Sequence, residues 1–124
     1  IRGMCCLYPK RKNQSENIRV ISVIGRFLEH SRIFWFSNNE KPEVYIGSAD
    51  WMRRNLDRRV EAVTPILDIT LQKKLEKTLN MYLQDNMHAW EMQSNGDFIR
   101  LTPGPNEKKR DSQIQLIEEW HKDI

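Results

Sequence analysis

His30 and Arg32 stand two residues apart in "EHSR", just ahead of the apolar run "IFWF". In an extended segment residues i and i+2 share a face, so the imidazole and the guanidinium are presented together. That pair suits a phosphate. Arginine grips two oxygens at once, while histidine donates a proton or attacks. One histidine beside a strand is more often structural, so His30 alone says little. Its neighbours raise its weight: Arg32 shares its face, and Glu29 could orient the imidazole or raise its pKa. A second cluster follows in "YIGSADWMRRNLDRR", Tyr45–Arg59. There Gly47-Ser48 offers open backbone and a hydroxyl donor, and Asp50 and Asn55 are short polar groups. Arg53, Arg54, Arg58 and Arg59 add positive charge. Charge runs are usually solvated loops, but arginines without a lysine lean toward phosphate recognition. Arg2, beside Gly3, is a third candidate that means little alone. His88 and His121 read as structural; a cation near the end of the last helix suits its dipole.

The elements that must position these residues are legible in outline. "IRGMCCL" (1–7) is short, apolar and strand-compatible, and "YPKRKNQSEN" is a polar loop. "IRVISVI", Ile18–Ile24, reads as a β-branched strand. "GRFLEHS" is a turn, "RIFWF" a second strand, "SNNEKP" a hairpin loop and "EVYIG" a third strand. "RRVEAVTPI" reads as a fourth, ended by Pro65. A helix follows, with Asp68 fitting its N-cap and Leu71, Leu75, Leu79 and Tyr82–Leu83 at helical spacing. "HAWEM" and "DFIRLT" flank "QSNG" as a small hairpin. "PGPNEKKR" is a loop, and "DSQIQLIEEWHK" a closing helix capped by Asp111 or Ser112. Four strands, a helix, a hairpin and a helix predict a mixed α/β (α+β) layer fold, with the early strands central and a helix covering them.

The 124 residues are enough for one domain with a modest core. At 39% hydrophobic and 30% charged the chain is neither disordered nor fibrous in type. No window approaches the roughly 18 apolar residues of a membrane span, and no basic-then-apolar leader is visible. The net charge of +3 permits an anionic ligand without demanding nucleic acid, and no stretch reads as a nucleic-acid motif. Cys5 and Cys6 are adjacent and cannot readily bridge each other, so two free thiols point to a reducing, cytoplasmic setting. Neither a C-x-x-C spacing nor a histidine pair at ligand spacing is present, so no metal site is expected. The opening "IRGMCCL" reads as the cut edge of a longer polypeptide.

"H-x-R" followed by "G-S-A-D" resembles the H-x-K and G-S-x-N pattern of the phospholipase D superfamily, with Arg32 in place of lysine and Asp50 in place of asparagine. Only one such motif is present, so a working site needs a second half from elsewhere. A more specific resemblance covers essentially the whole chain. "IRGMCCL", "SENIRVISVIGRFLEHSRIF", "EVYIGSADWMRRNLDRRVEAVTPI" and the helix after them resemble, in order and in spacing, the C-terminal catalytic region of long-type bacterial polyphosphate kinase. The resemblance implies a phospholipase D-like domain spanning residues 1–124. It implies an enzyme that moves the terminal phosphate of ATP reversibly onto inorganic polyphosphate, through a phosphohistidine, with magnesium, as a homo-oligomer. It places Arg2 on the nucleotide phosphates and makes His30 the second active-site histidine, which contacts the nucleotide and can donate a proton. Arg32 and Ser48 are added as phosphate contacts. The phosphorylated histidine, the magnesium-binding arginines and the base-contacting domain have no counterpart in this chain. The partners implied are ATP or ADP, polyphosphate and the remaining domains. The localisation implied is cytoplasmic, with membrane association of the intact enzyme left open. Two other readings stand beside this one: a polyphosphate- or nucleotide-binding module without chemistry, and a phospholipase D-like phosphodiesterase half-site that pairs two His30 residues by dimerising.

Overall fold

The structure is a computed structural model and describes residues 5–122. Its elements, in order, are β1 (Ile21–Val23), β2 (Ile33–Phe36), β3 (Glu43–Gly47), α1 (Arg53–Arg58), β4 (Val63–Pro65), α2 (Ile69–Leu83), β5 (Ala89–Met92), β6 (Phe98–Arg100) and α3 (Ser112–Lys122). The mixed α/β class is as the sequence predicts. The strands, however, form two antiparallel sheets, ordered β1-β5-β6 and β2-β3-β4, rather than one layer of early strands. Residues 1–4 lie outside the described part, and Cys5–Leu7 form no strand. The strand expected over Ile18–Ile24 is three residues long, and much of "RRVEAVTPI" is not strand. Helix α1 occupies the ground just before it, where the sequence reads only as a basic loop. No helix of the described residues is long and apolar enough to cross a membrane.

The chain divides into two compact units, His30–Leu79 and the residues on either side of it. In the flanking unit β1 pairs with β5 (Ser22 opposite Trp90), and β5 with β6 (Glu91 opposite Ile99). The β5–β6 turn closes with Gln93 N–H on Asp97 O at 2.8 Å, and Gly96 supplies the left-handed residue at φ 92°. Pro9, Val20, Val23, Ala89 and Met92 are buried apolar residues of this unit. Beside them sits Asp85, only 1% exposed. Its carboxylate accepts from the N–H groups of Met87, His88 and Ala89 (2.7–3.1 Å), and from the N–H (2.8 Å) and hydroxyl (2.7 Å) of Ser112. A buried carboxylate needs such donors, because charge taken from water without partners is costly. Asp111 caps α3, accepting from Gln113 and Ile114 N–H at 3.1 Å. Gln113 then ties α3 to the segment after β1, since its amide both accepts from Phe27 N–H (3.0 Å) and donates to Phe27 O (2.8 Å).

In the His30–Leu79 unit β2 and β3 form a hairpin with Phe34 opposite Tyr45 and Phe36 opposite Glu43, and β4 adds to β3 with Tyr45 opposite Pro65. The hairpin loop runs through Asn38, Asn39 and Glu40 at φ 40°, 50° and 66°. Asparagine tolerates that region better than most residues. Asp68 caps α2 by accepting from Leu71 N–H at 3.0 Å, as its position predicts. Val44 and Ala49 are the buried apolar residues of this unit.

Candidate functional site

The β2–β3 ladder does not stop at Ile33. Gly47 N–H donates to Arg32 O at 3.0 Å, which brings the residue before β2 against the residues that follow β3. Gly47 eases this closeness: a Cβ there would lie 3.2 Å from Ala62 O and 3.3 Å from the Phe34 ring, so a larger residue would need its neighbours to shift. The chain then turns through Ser48 and Ala49 to Asp50, and Arg32 Nε donates to Asp50 Oδ1 at 2.8 Å. This bond holds the Asp50 carboxyl below the usual range. Burial opposes it, and the positive charges of Arg32, His30 and Arg54 add to it. The same bond raises the Arg32 pKa against a smaller opposing effect of burial, with the charges of Asp50 and Glu61 helping. Arg32 is therefore a permanent cation with a fixed orientation, and His30 lies close enough for its charge to act on Asp50.

A second carboxylate, Glu61, acts on the same arginine. The Ser48 hydroxyl donates to Glu61 and accepts from Ala62 N–H at 3.0 Å. Asn55, on α1 and 3% exposed, donates to Glu61 Oε1 at 2.7 Å. Bonds from Ser48 and Asn55 hold the Glu61 carboxyl low, burial opposes them, and the charges of Arg59 and Arg32 assist. Asn55 Oδ1 is the buried side-chain oxygen without a partner among the described residues. On α1, Arg53 pairs with Asp57 (3.1 Å) and Arg54 acts on Asp50, while Arg59, just past its end, acts on Glu61.

The structure thus brings His30, Arg32 and Ser48 into one unit with Asp50, while Arg2 lies outside the described residues. Two sequence readings change. Glu29 does not hold the imidazole; its carboxylate accepts from Tyr82 Oη and from Gln113 Nε2, both at 2.6 Å. Ser48 is not an open donor, since its hydroxyl is committed to Glu61 and its N–H to Ala62 O at 2.9 Å. Glu61 is the residue that sequence reasoning passed over. It lies between Val60 and Ala62 in a stretch read as strand, and only its bond to Ser48, 13 positions away in sequence, gives it meaning.

One mixed α/β unit thus holds Arg32 on Asp50, with His30 and Arg54 acting on the same carboxylate. The chain belongs to the polyphosphate kinase C-terminal domain 2 family, which matches residues 1–113. It is 63% identical to the polyphosphate kinase of Prochlorococcus marinus (strain MIT 9313) over 124 residues, all of this chain and 17% of that protein. It is 48% identical to that of Pseudomonas aeruginosa over 118 residues, 95% of this chain and 17% of that protein. Among solved structures, the polyphosphate kinase from Porphyromonas gingivalis matches with a TM-score of 0.90 and 40% identity, covering 98% of this chain and 18% of that one. The chain therefore spans about a sixth of the length of the relatives it matches.

Proposed function

We propose that this chain is the C-terminal part of an ATP:polyphosphate phosphotransferase, which moves the terminal phosphate of ATP reversibly onto inorganic polyphosphate through a phosphohistidine carried by a preceding domain. The observation that supports this reading is the Arg32–Asp50 pair beside His30, in a chain of this family. Phosphoryl transfer rests mostly on positioning and charge neutralisation. Arg32, oriented by Asp50, faces phosphate oxygens, and Arg2 contacts the nucleotide phosphates. Protonated His30 donates to the leaving phosphate oxygen, a general-acid contribution on the order of 10²–10⁴-fold. Ser48 reaches phosphate only by exchanging its bond to Glu61. Arg53, Arg54, Arg58 and Arg59 line a path for the polyanion. Among the described residues no group of three or more His, Cys, Asp or Glu could hold a metal ion. The magnesium of the reaction, which offsets phosphate charge, is assigned to ligands outside this chain, and no step above runs through it. The intact enzyme is, in this reading, a phospholipase D-like, cytoplasmic oligomer, in keeping with the free Cys5 and Cys6.

The test is calorimetric titration of the chain with ATP and with long polyphosphate, in parallel with His30→Ala. Binding that weakens on substitution supports the assignment; equal binding overturns it. In a full-length polyphosphate kinase carrying this domain, His30→Ala is expected to cut polyphosphate synthesis by about 100-fold or more. The isolated chain is expected to synthesise none, and robust synthesis by it would overturn the two-domain reading.

A further inference from the structure

Arg32 meets Asp50 through one edge only. Its Nε donates to Asp50 Oδ1 at 2.8 Å, and among the described residues its two Nη groups have no partner. A guanidinium grips an oxyanion with two parallel bonds, from its Nε edge or from its Nη end. Asp50 has taken the first. With 26% of the Arg32 side chain exposed, the Nη end is the one left for a ligand. The charges around that end nearly cancel. The bond from Arg32 holds the Asp50 carboxyl low, and bonds from Ser48 and Asn55 do the same for Glu61, so both are ionised at neutral pH. Against these two anions stand three permanent cations that act on them, Arg32, Arg54 and Arg59. One positive charge is left over while His30 is neutral. In the phospholipase D pattern that the chain resembles, a lysine and a neutral asparagine stand at positions 32 and 50. Here both departures meet in a single bond, and the one at 50 adds the negative charge.

We propose that Asp50 is a specificity-determining residue: it confines Arg32 to its Nη end and sets the charge of this seat, so that Arg32 takes a singly charged phosphate from the interior of a phosphate chain in preference to a doubly charged terminal one. The proposal rests on the reading of Arg32 as a phosphate contact. An interior phosphate is a singly charged diester-like group, whereas a terminal one carries about 1.5–2 negative charges at pH 7. The extra charge meets the ionised Asp50 with no cation left to offset it. Such a seat selects position along the chain. It holds a phosphate inside the chain and leaves the terminal phosphoryl group, the one that is transferred, outside it.

Calorimetric titration of a full-length polyphosphate kinase carrying this domain tests it, in magnesium-free buffer at mildly alkaline pH. The probes are cyclic trimetaphosphate, which has interior phosphates only, and linear tripolyphosphate, which has terminal ones. Asp50→Asn keeps an acceptor for Arg32 Nε and removes the charge. It is expected to tighten tripolyphosphate relative to trimetaphosphate by about fivefold or more. An unchanged ratio would overturn the proposal. Asp50→Glu keeps the charge and is expected to keep the wild-type ratio; a shift like that of Asp50→Asn would also overturn it, since lost fit rather than lost charge would be the cause. The pair is too open to water for these variants to unfold the protein. Arg32→Ala separates the proposal from the reading beneath it. If Arg32→Ala weakens both ligands while Asp50→Asn leaves the ratio alone, Arg32 holds phosphate and only the charge selection fails. If Arg32→Ala changes neither, Arg32 holds no phosphate, and the reading falls together with the proposal.

Discussion

Arg32 and Asp50, 18 positions apart, are joined Nε to Oδ1 at 2.8 Å with about a quarter to a third of each side chain in water. An ion pair so open to water contributes little to stability. Its value lies in geometry, because it fixes the plane of a guanidinium that would otherwise sample many rotamers. A double-mutant cycle of Arg32→Ala and Asp50→Ala, read by urea unfolding, is expected to give a coupling no larger than the error of additivity. A coupling well above that error would show that the pair holds the unit together.

Glu61 is held low in pKa chiefly by bonds from Ser48 and Asn55. Removing either donor removes a bond to the charged form, so the carboxyl should titrate at higher pH in Ser48→Ala and in Asn55→Ala. Carbon-13 NMR of the Glu61 carboxyl reads this directly. An unmoved titration would mean that the two donors are not bonded to it in solution.

Gly25 lies against Gln113: an added Cβ would sit 2.4 Å from its Oε1 and 2.8 Å from its Cδ. A free glutamine would swing aside. This one is bonded to Phe27 N–H, Phe27 O and Glu29, so moving it breaks those bonds. Gly25→Ala is expected to destabilise by about 1–3 kcal/mol, as overpacking does. Gly25→Ala combined with Gln113→Ala should cost less than the two substitutions added together, and thermal unfolding of all three variants checks it.

Asp85 gives a pH dependence whose sign is fixed. Burial alone would raise its pKa, but the bonds from Ser112, His88 and Met87 outweigh burial and hold the carboxyl below its ordinary value. A carboxyl with a lowered folded pKa stabilises fully above the unfolded value of about 3.9, and loses that contribution as pH falls through the folded value. Asp85→Asn, which sets an amide among five donors, is expected to cost about 2–4 kcal/mol at pH 7. The difference from wild type should shrink as unfolding is measured at successively lower pH below about 3.9. A difference that stays constant there would refute the role of the charge.

Helices α2 and α3 were legible because their signals are local. Asp68 and Asp111 stand at caps, and the leucines of α2 repeat at helical spacing. The β2–β3 and β5–β6 hairpins were legible for the same reason, each carrying its turn residues between two apolar runs. The split into two sheets was not, because β1 finds its partner at β5, more than 60 residues on, and no pattern in either strand encodes that choice. Within the site, His30 and Arg32 could be read together from spacing alone. Glu29 could not be placed, since its partners Tyr82 and Gln113 lie 53 and 84 positions away. Helix α1 is six residues with no side-chain cap bond at Met52, so nothing in "RRNLDR" announced it.

The tie between Phe27 and Gln113 spans 86 positions, and the unit it closes is interrupted by the whole of His30–Leu79. On the ribosome this sets an order of events. The β2–β3–β4 ladder has all its strands once Pro65 has emerged, so its pairing can begin early and locally. The flanking unit must wait, since β1 is made before β2 but its partner β5, the Ser112 that answers Asp85 and the Gln113 that clasps Phe27 are made last. During that interval the apolar side chains of β1 stay uncovered, and a holdase binding there would act on a chain whose inserted unit has already begun to fold.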